Sequence, residues 1–239
     1  MNVYQLSEIS ELVRNNTYPG RGIVLGRTED GTRAVAAYFI MGRSANSRNR
    51  VFAVRDGAVF TEPFDASKVE DPSLIIYAAL RQYENRLIVT NGDQTDTVFE
   101  GLKAGMSFSE SLGSRCFEPD APNFTPRISG LLTLDPVHPR YEMSILKSID
   151  ANGSDCARFF FSYPAMPGLG HFIHTYIGDG DPLPTFTGEP ERVGIGNSID
   201  AFTQKLWEDL NADNRISLYV RFTDPETGAY EERLINRNR

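Results

Sequence analysis

Hydrophobic residues in this chain are grouped in short runs that are separated by turn-forming residues. Short apolar runs with turn signals on either side are typical of β-strands. The first four runs are residues 22–27, 33–41, 51–54 and 58–60. Asp56-Gly57 lies between the last two runs and is typical of a hairpin, because the tight turn requires positive φ. This part of the chain therefore predicts antiparallel strands that are joined by hairpins.

The same pattern continues through the rest of the chain, with a few helical segments between the strands. Further strands are predicted at residues 74–80, 87–90, 128–134, 142–149, 157–163, 171–177, 216–222 and 230–235. For the segment around 74–80, helical spacing fits the sequence as well. Helices are predicted at residues 4–14, 95–104, 107–112 and 198–210. In the last helix, Ser198 is the expected N-cap, and the expected buried stripe is Ile199, Phe202, Leu206 and Leu210.

The order of the predicted elements indicates the fold class. Hairpins dominate, and strands do not alternate regularly with helices, which argues against a Rossmann fold or an α/β barrel. A layered α+β fold with antiparallel sheets fits this order. The 239 residues contain no internal repeat, low-complexity tract or linker. We therefore expect one domain that spans residues 1–239.

The charge balance limits the class of partner. The formal net charge is −8, and an acidic chain is repelled by the phosphates of DNA and RNA. A nucleic-acid binder is therefore not expected. A few clustered arginines can still hold one small phosphate, because such a site needs only a few charges.

The cysteines and the apolar stretches indicate a cytoplasmic protein. Cys116 and Cys156 are the two cysteines, and neither belongs to a CxxC pair, so a zinc knuckle has no support. One disulfide between them is conceivable, but a reduced state in the cytosol is the simpler interpretation. The N-terminus lacks the pattern of a signal peptide. No apolar stretch approaches the roughly 20 residues that span a bilayer.

A loop rich in arginine follows the apolar residues 38–41, in the segment YFIMGRSANSRNRVF. Guanidinium groups bind phosphate through two parallel hydrogen bonds, and Ser and Asn add uncharged donors. The loop therefore predicts a phosphate site, and a solvated basic turn is the alternative. The candidate ligands are Arg43, Ser44, Asn46, Ser47, Arg48, Asn49 and Arg50.

Two further polar segments lie at strand ends. Arg21 follows a Pro-Gly turn and opens a strand, so it is either a second ligand for phosphate or base, or an exposed arginine at a strand edge. Residues 90–96, TNGDQTD, lead from a strand into a helix through Asn91 and Asp93. Helix N-termini attract anions. Capping of the helix by Asp93 or Thr95 is an equally good interpretation of this segment.

A proline-rich loop occupies residues 117–130, FEPDAPNFTPRISG. Its three prolines stiffen the backbone, which lowers the cost of holding polar groups in a preorganised site. Paired carboxylates in such a loop can act as acid or base, or can contact a ribose. An ordinary surface crossing with solvated acids is the alternative. The candidate residues are Glu118, Asp120, Asn123, Thr125 and Arg127.

Metal binding has no support in the sequence. His171 and His174 lie three apart on a predicted strand, so they point to opposite faces and are poorly placed to share a metal. The acidic residues 178–181, GDGD, lack the ligand spacing and the terminal glutamate of an EF-hand. We therefore expect no metal site.

Four of these segments together resemble the archaeal-type inosine monophosphate (IMP) cyclohydrolases. They are YPGRGI, YFIMGRSANSRNRVF, TNGDQTD and EPDAPNFTPRISG, within residues 18–130. The resemblance implies a four-layer αββα core similar to the N-terminal nucleophile hydrolases, a homo-oligomer such as a tetramer, and no cofactor. The chain begins Met1-Asn2, so it lacks an obvious terminal nucleophile for the amidohydrolase chemistry of that superfamily.

The reaction of that family converts 5-formamidoimidazole-4-carboxamide ribotide into IMP and water, in de novo purine biosynthesis. Ring closure requires the amide to reach the formyl carbon, an oxyanion to be stabilised, and protons to be moved.

The resemblance suggests a role for each candidate residue. Glu118 is the expected proton-transfer group, while Arg21 and Arg127 are candidates for phosphate or oxyanion contacts. Tyr38 and Asn91 are further candidates. The expected ligands of the 5′-phosphate or base are Arg43, Ser44, Ser47, Arg48, Asn49 and Arg50, and those of the ribose or carboxamide are Asp120 and Asn123.

Two other functions remain compatible with the same residues. A non-catalytic protein that binds purine nucleotides on this fold needs the arginine loop but not Glu118. A related enzyme could act on another ribotide or formamide, because a fold and a phosphate site do not define the base.

Overall fold

The computed structural model describes residues 4–69 and 76–238. The strands are β1 (Arg21–Arg27), β2 (Ala34–Met41), β3 (Arg50–Arg55), β4 (Ala58–Pro63), β5 (Tyr77–Tyr83), β6 (Arg86–Thr90), β7 (Arg127–Thr133), β8 (Arg140–Ser148), β9 (Cys156–Pro164), β10 (Leu169–His174), β11 (Glu191–Gly194), β12 (Arg215–Thr223) and β13 (Tyr230–Asn236). The helices are α1 (Ile9–Asn15), α2 (Ala45–Arg48), α3 (Gln94–Lys103), α4 (Phe108–Ser111) and α5 (Ile199–Asp209), and Ala66–Lys68 forms a 3-10 turn.

The strands form two antiparallel sheets. The first sheet has the order β11-β10-β1-β2-β12-β13, and the second runs β3 to β9 in chain order. The second sheet is therefore a meander, in which each strand pairs with the next along the chain. The first sheet is assembled from the β1–β2 hairpin and from later strands that add on both of its sides.

The apolar side chains form three clusters that define four layers. The largest cluster fills the space between the sheets, where Ile23 of the first sheet packs with residues such as Leu132 of the second. A second cluster lies between the first sheet and helices α1 and α5. A third lies between the second sheet and helices α3 and α4. The order helix, sheet, sheet, helix confirms the predicted α+β class with antiparallel sheets.

Strand β2 shows why the central strands are continuous apolar runs. Its sequence AVAAYFIM is buried at every position. Alternate side chains of a strand point to opposite faces. Tyr38 accordingly lies in the cluster between the sheets, while Phe39 lies in the cluster beneath the helices. Because both faces are covered by protein, no position along the strand needs to be polar.

The hairpin expected at Asp56-Gly57 is confirmed. Strands β3 and β4 pair from Arg50↔Pro63 to Arg55↔Ala58. Asp56 has φ 50° and Gly57 has φ 74°. These are the positive φ values that a two-residue hairpin turn requires.

Two predicted boundaries are wrong. Helix α1 begins at Ile9 and not at residue 4, because Ser7 pairs with Val193 at the edge of the first sheet and holds the preceding segment extended. Strand β10 ends at His174 and not at residue 177. Beyond it, Thr175 bonds to the carbonyl of Pro19, which bends the chain away from the ladder.

The weakly predicted strand around 74–80 is a strand from Tyr77 to Tyr83, so the helical alternative is wrong for these residues. Its expected start at Leu74 falls outside the described residues. The sequence missed β11, since four residues with two charges at a sheet edge show no apolar pattern. It also missed α2, one turn that is closed by the capping box between Ser44 and Ser47.

Helix α5 matches its prediction. Ser198 accepts a hydrogen bond from the backbone amide of Ala201, as an N-cap does. Ile199, Leu206 and Leu210 are buried, and Phe202 is half-buried against the same cluster. None of the helices that the structure describes has the length and apolarity that a bilayer crossing requires.

The two histidines of β10 point to opposite faces, as their spacing predicted. His174 stacks on Phe172, with ring centroids 4.7 Å apart. His171 faces the second sheet, where its Nδ1 lies 2.6 Å from the Tyr141 hydroxyl and its ring stacks on Tyr163 at 3.6 Å. His171 therefore joins the two sheets through a hydrogen bond and a ring contact.

The burial of His171 predicts how stability depends on pH. Burial, together with the charge of Arg192, lowers the pKa of His171 to about 4. In the unfolded chain a histidine has a pKa of about 6.5. Because the unfolded state binds the proton more readily, this contribution to stability is complete above about pH 6.5 and is lost as the pH falls towards about 4.

Replacement of His171 by Gln should flatten this pH dependence. The free energy of unfolding, measured with denaturant at pH 7 and at pH 5, is expected to change less in His171→Gln than in the wild-type protein. His138→Gln is the matched control, since His138 is exposed. If the free energy of unfolding changes as much between pH 7 and pH 5 in His171→Gln as in the wild-type protein, the lowered pKa of His171 is contradicted.

The polar segments singled out in the sequence lie where the chain passes from one sheet to the other and at the neighbouring strand ends. The chain leaves the first sheet at the end of β2 and enters the second at the start of β3. The arginine loop, residues 42–49, is this crossover. In the second sheet, the segment after β6 and the proline-rich loop before β7 lie at one edge, because Thr90 pairs with Ser129. The topology therefore gathers the polar segments at one end of the space between the sheets.

Candidate functional site at one end of the sheet sandwich

Arg21 lies at the centre of the polar end of the sandwich. Its Nε is buried and has no hydrogen-bond partner among the described residues. Its charge lies within electrostatic reach of four tyrosine side chains, Tyr18, Tyr38, Tyr77 and Tyr176. A buried donor without an acceptor is rare in proteins, because it loses hydration without compensation. Arg21 is therefore positioned to bind an acceptor that the protein itself does not supply.

The local sequence explains how Arg21 reaches this position. Gly20 has φ 77°, a left-handed conformation that glycine adopts readily. A Cβ at this position would collide with the side chains of Thr175 and Tyr176. The backbone amide of Arg21 then donates to the Thr175 hydroxyl at 3.1 Å. The Pro-Gly turn therefore brings Arg21 close to the end of β10.

The surrounding tyrosines are held in fixed positions. The hydroxyls of Tyr38 and Tyr77 are 2.9 Å apart and join the two sheets. Tyr18 stacks on Tyr176 with ring centroids 5.9 Å apart. Burial raises the pKa of Tyr38 well above its usual value, and the neighbouring Tyr77 raises it further. Tyr38 therefore stays protonated and can act as a hydrogen-bond donor.

Arg50 adds a second buried cation. Its side chain is 2% exposed, and it donates to the carbonyls of Ser47 at 2.7 Å and Met41 at 3.3 Å. Among the described residues it forms no ion pair with a carboxylate. Burial lowers the pKa of Arg50, and the charge of Arg21 lowers it further. Two neighbouring cations favour the binding of an anion.

Glu118 lies within electrostatic reach of Arg21. Its Oε1 is 3.0 Å from Nη1 of Arg127, and its Oε2 accepts a hydrogen bond from Nη2 at 3.1 Å. Burial raises the pKa of Glu118, although the charges of Arg127 and Arg21 counteract part of this effect. A carboxyl group with a raised pKa stays protonated up to a higher pH than an exposed glutamate does, which suits it to accept and donate protons. The site therefore combines a candidate acid–base group with two cations.

Arg127 is fixed by a network beneath Glu118. Its Nη1 lies 2.6 Å from Asp93 and 2.7 Å from Oε1 of the buried Gln94. Asp93 also binds Arg115. The side chain of Asp93 makes no capping bond to helix α3, so its interpretation as a helix cap is wrong. The segment after β6 therefore serves to hold Arg127, and through it Glu118.

Gly92 has no side chain, and the Glu118–Arg127 network packs into the space that a side chain would occupy. A Cβ on Gly92 would lie 2.6 Å from Nη1 of Arg127 and 3.1 Å from Oε1 of Glu118. Both distances are shorter than ordinary carbon contacts. The Glu118–Arg127 pair can therefore keep its present geometry only if residue 92 has no side chain.

A Gly92→Ala substitution is therefore expected to displace Glu118 and Arg127 and to lower the free energy of unfolding by about 1–3 kcal/mol. Far-UV circular dichroism should remain unchanged, since Gly92 lies outside the helices and strands. Gly196→Ala is the matched control, because a Cβ there meets no atom within 4 Å. A free energy of unfolding in Gly92→Ala equal to that of the wild-type protein, measured with denaturant, would contradict the proposed packing.

Most of the other candidate residues in the arginine loop form hydrogen bonds or ion pairs within the protein. Arg43 lies at the rim, where it pairs with Asp179 at 2.5 Å and sits 5.2 Å from the centre of the Tyr18 ring. Oδ1 of Asn46 is buried without a hydrogen-bond partner among the described residues. The contacts of the other candidates are the capping box of Ser44 and Ser47, the bonds of Arg48 to Gly42 and Asn214, and the paired bonds of Asn49 with Asp65.

Asn91 closes the end of the second sheet. Its side chain donates to the carbonyl of Pro126 at 2.9 Å and accepts from the backbone amide of Ile128 and from Gln94. These bonds occupy the amide group on both its oxygen and its nitrogen. In the described structure, Asn91 thus positions the start of β7 and the arginine that opens it.

The remaining residues of the proline-rich loop connect it to Tyr176. Asp120 accepts hydrogen bonds from the backbone amide and the hydroxyl of Thr125. The Thr125 hydroxyl lies 2.6 Å from that of Tyr176. Asn123 accepts a hydrogen bond from the backbone amide of Leu183 at 3.0 Å. The proline-rich loop and the segment after β10 therefore pack together over the site.

The structure brings the predicted segments together around Arg21. The charge of Arg21 acts on Arg50 of the arginine loop and on Glu118 of the proline-rich loop. Sequence reasoning missed Tyr77, Gln94 and Arg115. A tyrosine within a buried strand requires a hydrogen-bond partner, so Tyr77 in the apolar run around it was a recognisable signal.

The fold and the site define a two-sheet α+β protein with a buried cationic site beside a carboxyl group. A family model described as IMP cyclohydrolase-like protein matches residues 18–228. This match covers most of the chain, including every residue of the site. The chain therefore belongs to the family of IMP cyclohydrolase-like proteins.

Individual relatives are similar over part of the chain. The IMP cyclohydrolase of Methanopyrus kandleri is 38% identical over 116 residues, which are 47% of this chain and 57% of that protein. That of Methanococcus maripaludis strain C7 is 34% identical over 129 residues, or 52% of this chain and 62% of that protein. That of Methanococcus aeolicus is 27% identical over 163 residues, or 66% of this chain and 74% of that protein. The chain thus aligns with somewhat more than half the length of the first two relatives.

Proposed function

We propose that this protein is an IMP cyclohydrolase that closes the ring of 5-formamidoimidazole-4-carboxamide ribotide, giving IMP and water, in de novo purine biosynthesis. The observation that carries the proposal is the unpartnered Nε of Arg21, which lies in a buried polar site within electrostatic reach of Glu118. The family membership and the names of the relatives support the same reaction. The reaction requires a site of this kind, because it joins two groups of one anionic molecule.

Arg21 is suited to stabilise the oxyanion of ring closure. When the carboxamide nitrogen attacks the formyl carbon, a bond forms between them and the formyl oxygen becomes negatively charged. A preorganised cation in a buried site stabilises this charge more strongly than water does. The protonated Tyr38 hydroxyl, beside Arg21, is a second donor for the same oxygen.

Glu118 is suited to transfer the protons. Its ionised form accepts a proton from the attacking nitrogen and passes it to the oxyanion, which becomes a hydroxyl. A second proton then moves from the formamido nitrogen through the same carboxylate to this hydroxyl, the C–O bond breaks as the C=N bond forms, and water leaves. Burial raises the pKa of Glu118, so both forms are accessible nearer to neutral pH than for an exposed glutamate. Arg127 holds the carboxyl group in place during both steps.

The arginine loop is suited to hold the 5′-phosphate. Arg43 lies at the rim and Arg50 is buried beside Arg21. Asn46 presents a buried oxygen without a partner in the described part of the chain, which can accept a bond from a ribose or base. With the phosphate at the rim, the base of the ribotide lies deeper, next to Arg21 and Glu118.

Several broader features accompany the proposal. We infer a four-layer fold similar to the N-terminal nucleophile hydrolases, in one domain, and a homo-oligomer such as a tetramer. The reaction is an internal condensation without oxidation, so it needs no cofactor. The acidic chain and the small ribotide substrate fit a cytoplasmic enzyme that does not bind nucleic acid.

The direct experiment is to mix the purified protein with the formamido ribotide and to follow the ultraviolet absorbance of the hypoxanthine product. Formation of IMP at a rate proportional to protein concentration is the expected result. A parallel calorimetric titration with IMP separates the alternatives. Binding of IMP without turnover of the ribotide would favour a non-catalytic nucleotide-binding protein, and turnover of a different ribotide would favour a related enzyme.

A further inference from the structure

The two cysteines of the chain lie next to the loop that carries Glu118. Cys116 is exposed and stands two residues before Glu118. Cys156 is half-buried and begins β9. Nη2 of Arg158 donates to the carbonyl of Arg115 at 2.8 Å, which fastens the start of the loop to the start of the strand. Two thiols that are 40 positions apart in sequence are thereby brought together at the surface.

Cys116 lies close enough to Cys156 to act on the ionisation of its thiol. Cys156 and Arg158 lie two residues apart on β9, so their side chains point to the same face of the strand, and there Arg158 reaches the residue before Cys116. Nothing in the proposed reaction uses either sulfur. Two neighbouring thiols, one of them exposed, can form a disulfide when their Cα atoms come within about 7 Å of each other.

The two sulfurs differ in environment in a way that assigns their roles. Burial raises the pKa of Cys156, and the neighbouring Cys116 raises it further. Cys156 therefore stays a thiol near neutral pH. Cys116 is exposed and can be reached by an oxidant in solution. Accessibility favours Cys116 as the sulfur that reacts first and Cys156 as the sulfur that completes the bond.

We propose that Cys116 and Cys156 form an oxidation site, which a hydroperoxide converts into a reversible disulfide that slows ring closure. The formation of the disulfide rests on the neighbouring positions of the two cysteines, which the Arg158–Arg115 hydrogen bond links, and on the exposure of Cys116. The effect on rate rests on the proposed cyclohydrolase function.

The chemistry is balanced with hydrogen peroxide as the oxidant. The Cys116 thiolate attacks one peroxide oxygen, the O–O bond breaks, and Cys116 becomes a sulfenic acid while the other oxygen leaves as water after protonation. The Cys156 sulfur then attacks the Cys116 sulfur, the S–O bond breaks, and a second water leaves. Two thiols are oxidised by two electrons, and one peroxide is reduced to two waters.

The disulfide changes the geometry of the loop. Bonded sulfurs lie about 2 Å apart, closer than any two sulfurs that are not bonded. Closing this distance draws Cys116 towards β9 and shifts the backbone two residues before Glu118. Since Glu118 is held by Arg127 at 3.0 Å, a shift of about 1 Å misplaces its carboxyl group. We expect an about tenfold fall in the cyclisation rate.

The test treats the full chain with hydrogen peroxide and measures the intact mass, the disulfide-linked peptide and the cyclisation rate, before and after dithiothreitol. The expected result is the loss of two hydrogen masses, a Cys116–Cys156 peptide, and an about tenfold fall in rate that dithiothreitol reverses. The variants Cys116→Ser and Cys156→Ser should keep the untreated rate and lose its sensitivity to peroxide. The mass measurement does not depend on cyclohydrolase activity, so failure of the proposed function would leave the disulfide testable.

Four outcomes would overturn the proposal. Oxidation of Cys116 to a sulfinic acid, or a disulfide between two chains, would show that Cys156 does not resolve the reaction. A disulfide that forms but leaves the rate unchanged would overturn the effect on the site. A fall in rate that persists in both serine variants would assign the sensitivity to another residue.

Discussion

The substitution Glu118→Gln is expected to lower the cyclisation rate by about 10³-fold, because it removes the group that accepts and donates protons. Glutamine keeps the shape of the side chain and still accepts a hydrogen bond from Arg127, so the fold should survive. The loss should appear in kcat, while KM changes little. Steady-state kinetics with the formamido ribotide measure both quantities.

The control for Glu118→Gln is Glu100→Gln. Glu100 lies on helix α3, where it is exposed and pairs with Lys103, and its replacement should leave kcat unchanged. The pH profile adds a second check. Burial raises the pKa of Glu118, so the acidic limb of the wild-type profile should lie above the pH at which an ordinary glutamate, with a pKa of about 4.3, titrates. Full activity in Glu118→Gln would remove the glutamate from the mechanism.

The substitution Arg21→Met is expected to lower kcat about 100- to 1000-fold and, at the same time, to stabilise the free protein. The rate falls because the oxyanion loses its cation. Stability rises because the wild-type protein holds a buried charge whose Nε has no acceptor in the described structure. Replacing such a group by an apolar one of similar length should raise the free energy of unfolding by about 1 kcal/mol.

Arg27→Met is the matched control for Arg21→Met, since both arginines lie on β1, at opposite ends. Nε of Arg27 donates to the carbonyl of Gly31 at 2.7 Å. Its replacement should therefore lower the free energy of unfolding by about 1 kcal/mol and leave kcat unchanged. The opposite signs of the two stability changes distinguish a binding arginine from a structural one. Loss of stability in Arg21→Met would indicate that the fold itself requires this charge.

The elements that sequence patterns predicted best are those whose burial is complete or alternates regularly. Strand β2 is one example, because burial on both faces produces an unbroken apolar run. Helix α5 is another, because one stripe of it is buried and Ser198 caps it. The N-terminal segment was predicted poorly, since the pairing of Ser7 with Val193 outweighs its helical spacing. Tertiary contacts of this kind leave no periodic signal in the sequence.

The sequence also predicted which segments meet at the site, but it could not distinguish ligands from supports. Serine and asparagine in a polar loop fit a phosphate site and a capping box equally well, and Ser44 and Ser47 form the capping box. For Asp93 the sequence fitted a helix cap equally well, but its carboxylate binds Arg127 and Arg115 and does not cap α3. These choices depend on the direction of each side chain, which the spacing of residues in an irregular loop does not determine.

A crystal structure of the protein with bound IMP tests the account most directly. The prediction is a ligand acceptor atom within hydrogen-bond distance of Arg21 Nε, the base beside Glu118, and the phosphate near Arg43. Binding of the nucleotide elsewhere, for example in the cleft lined by Arg55, Arg81 and Arg221, with Arg21 Nε still unpartnered, would contradict the account.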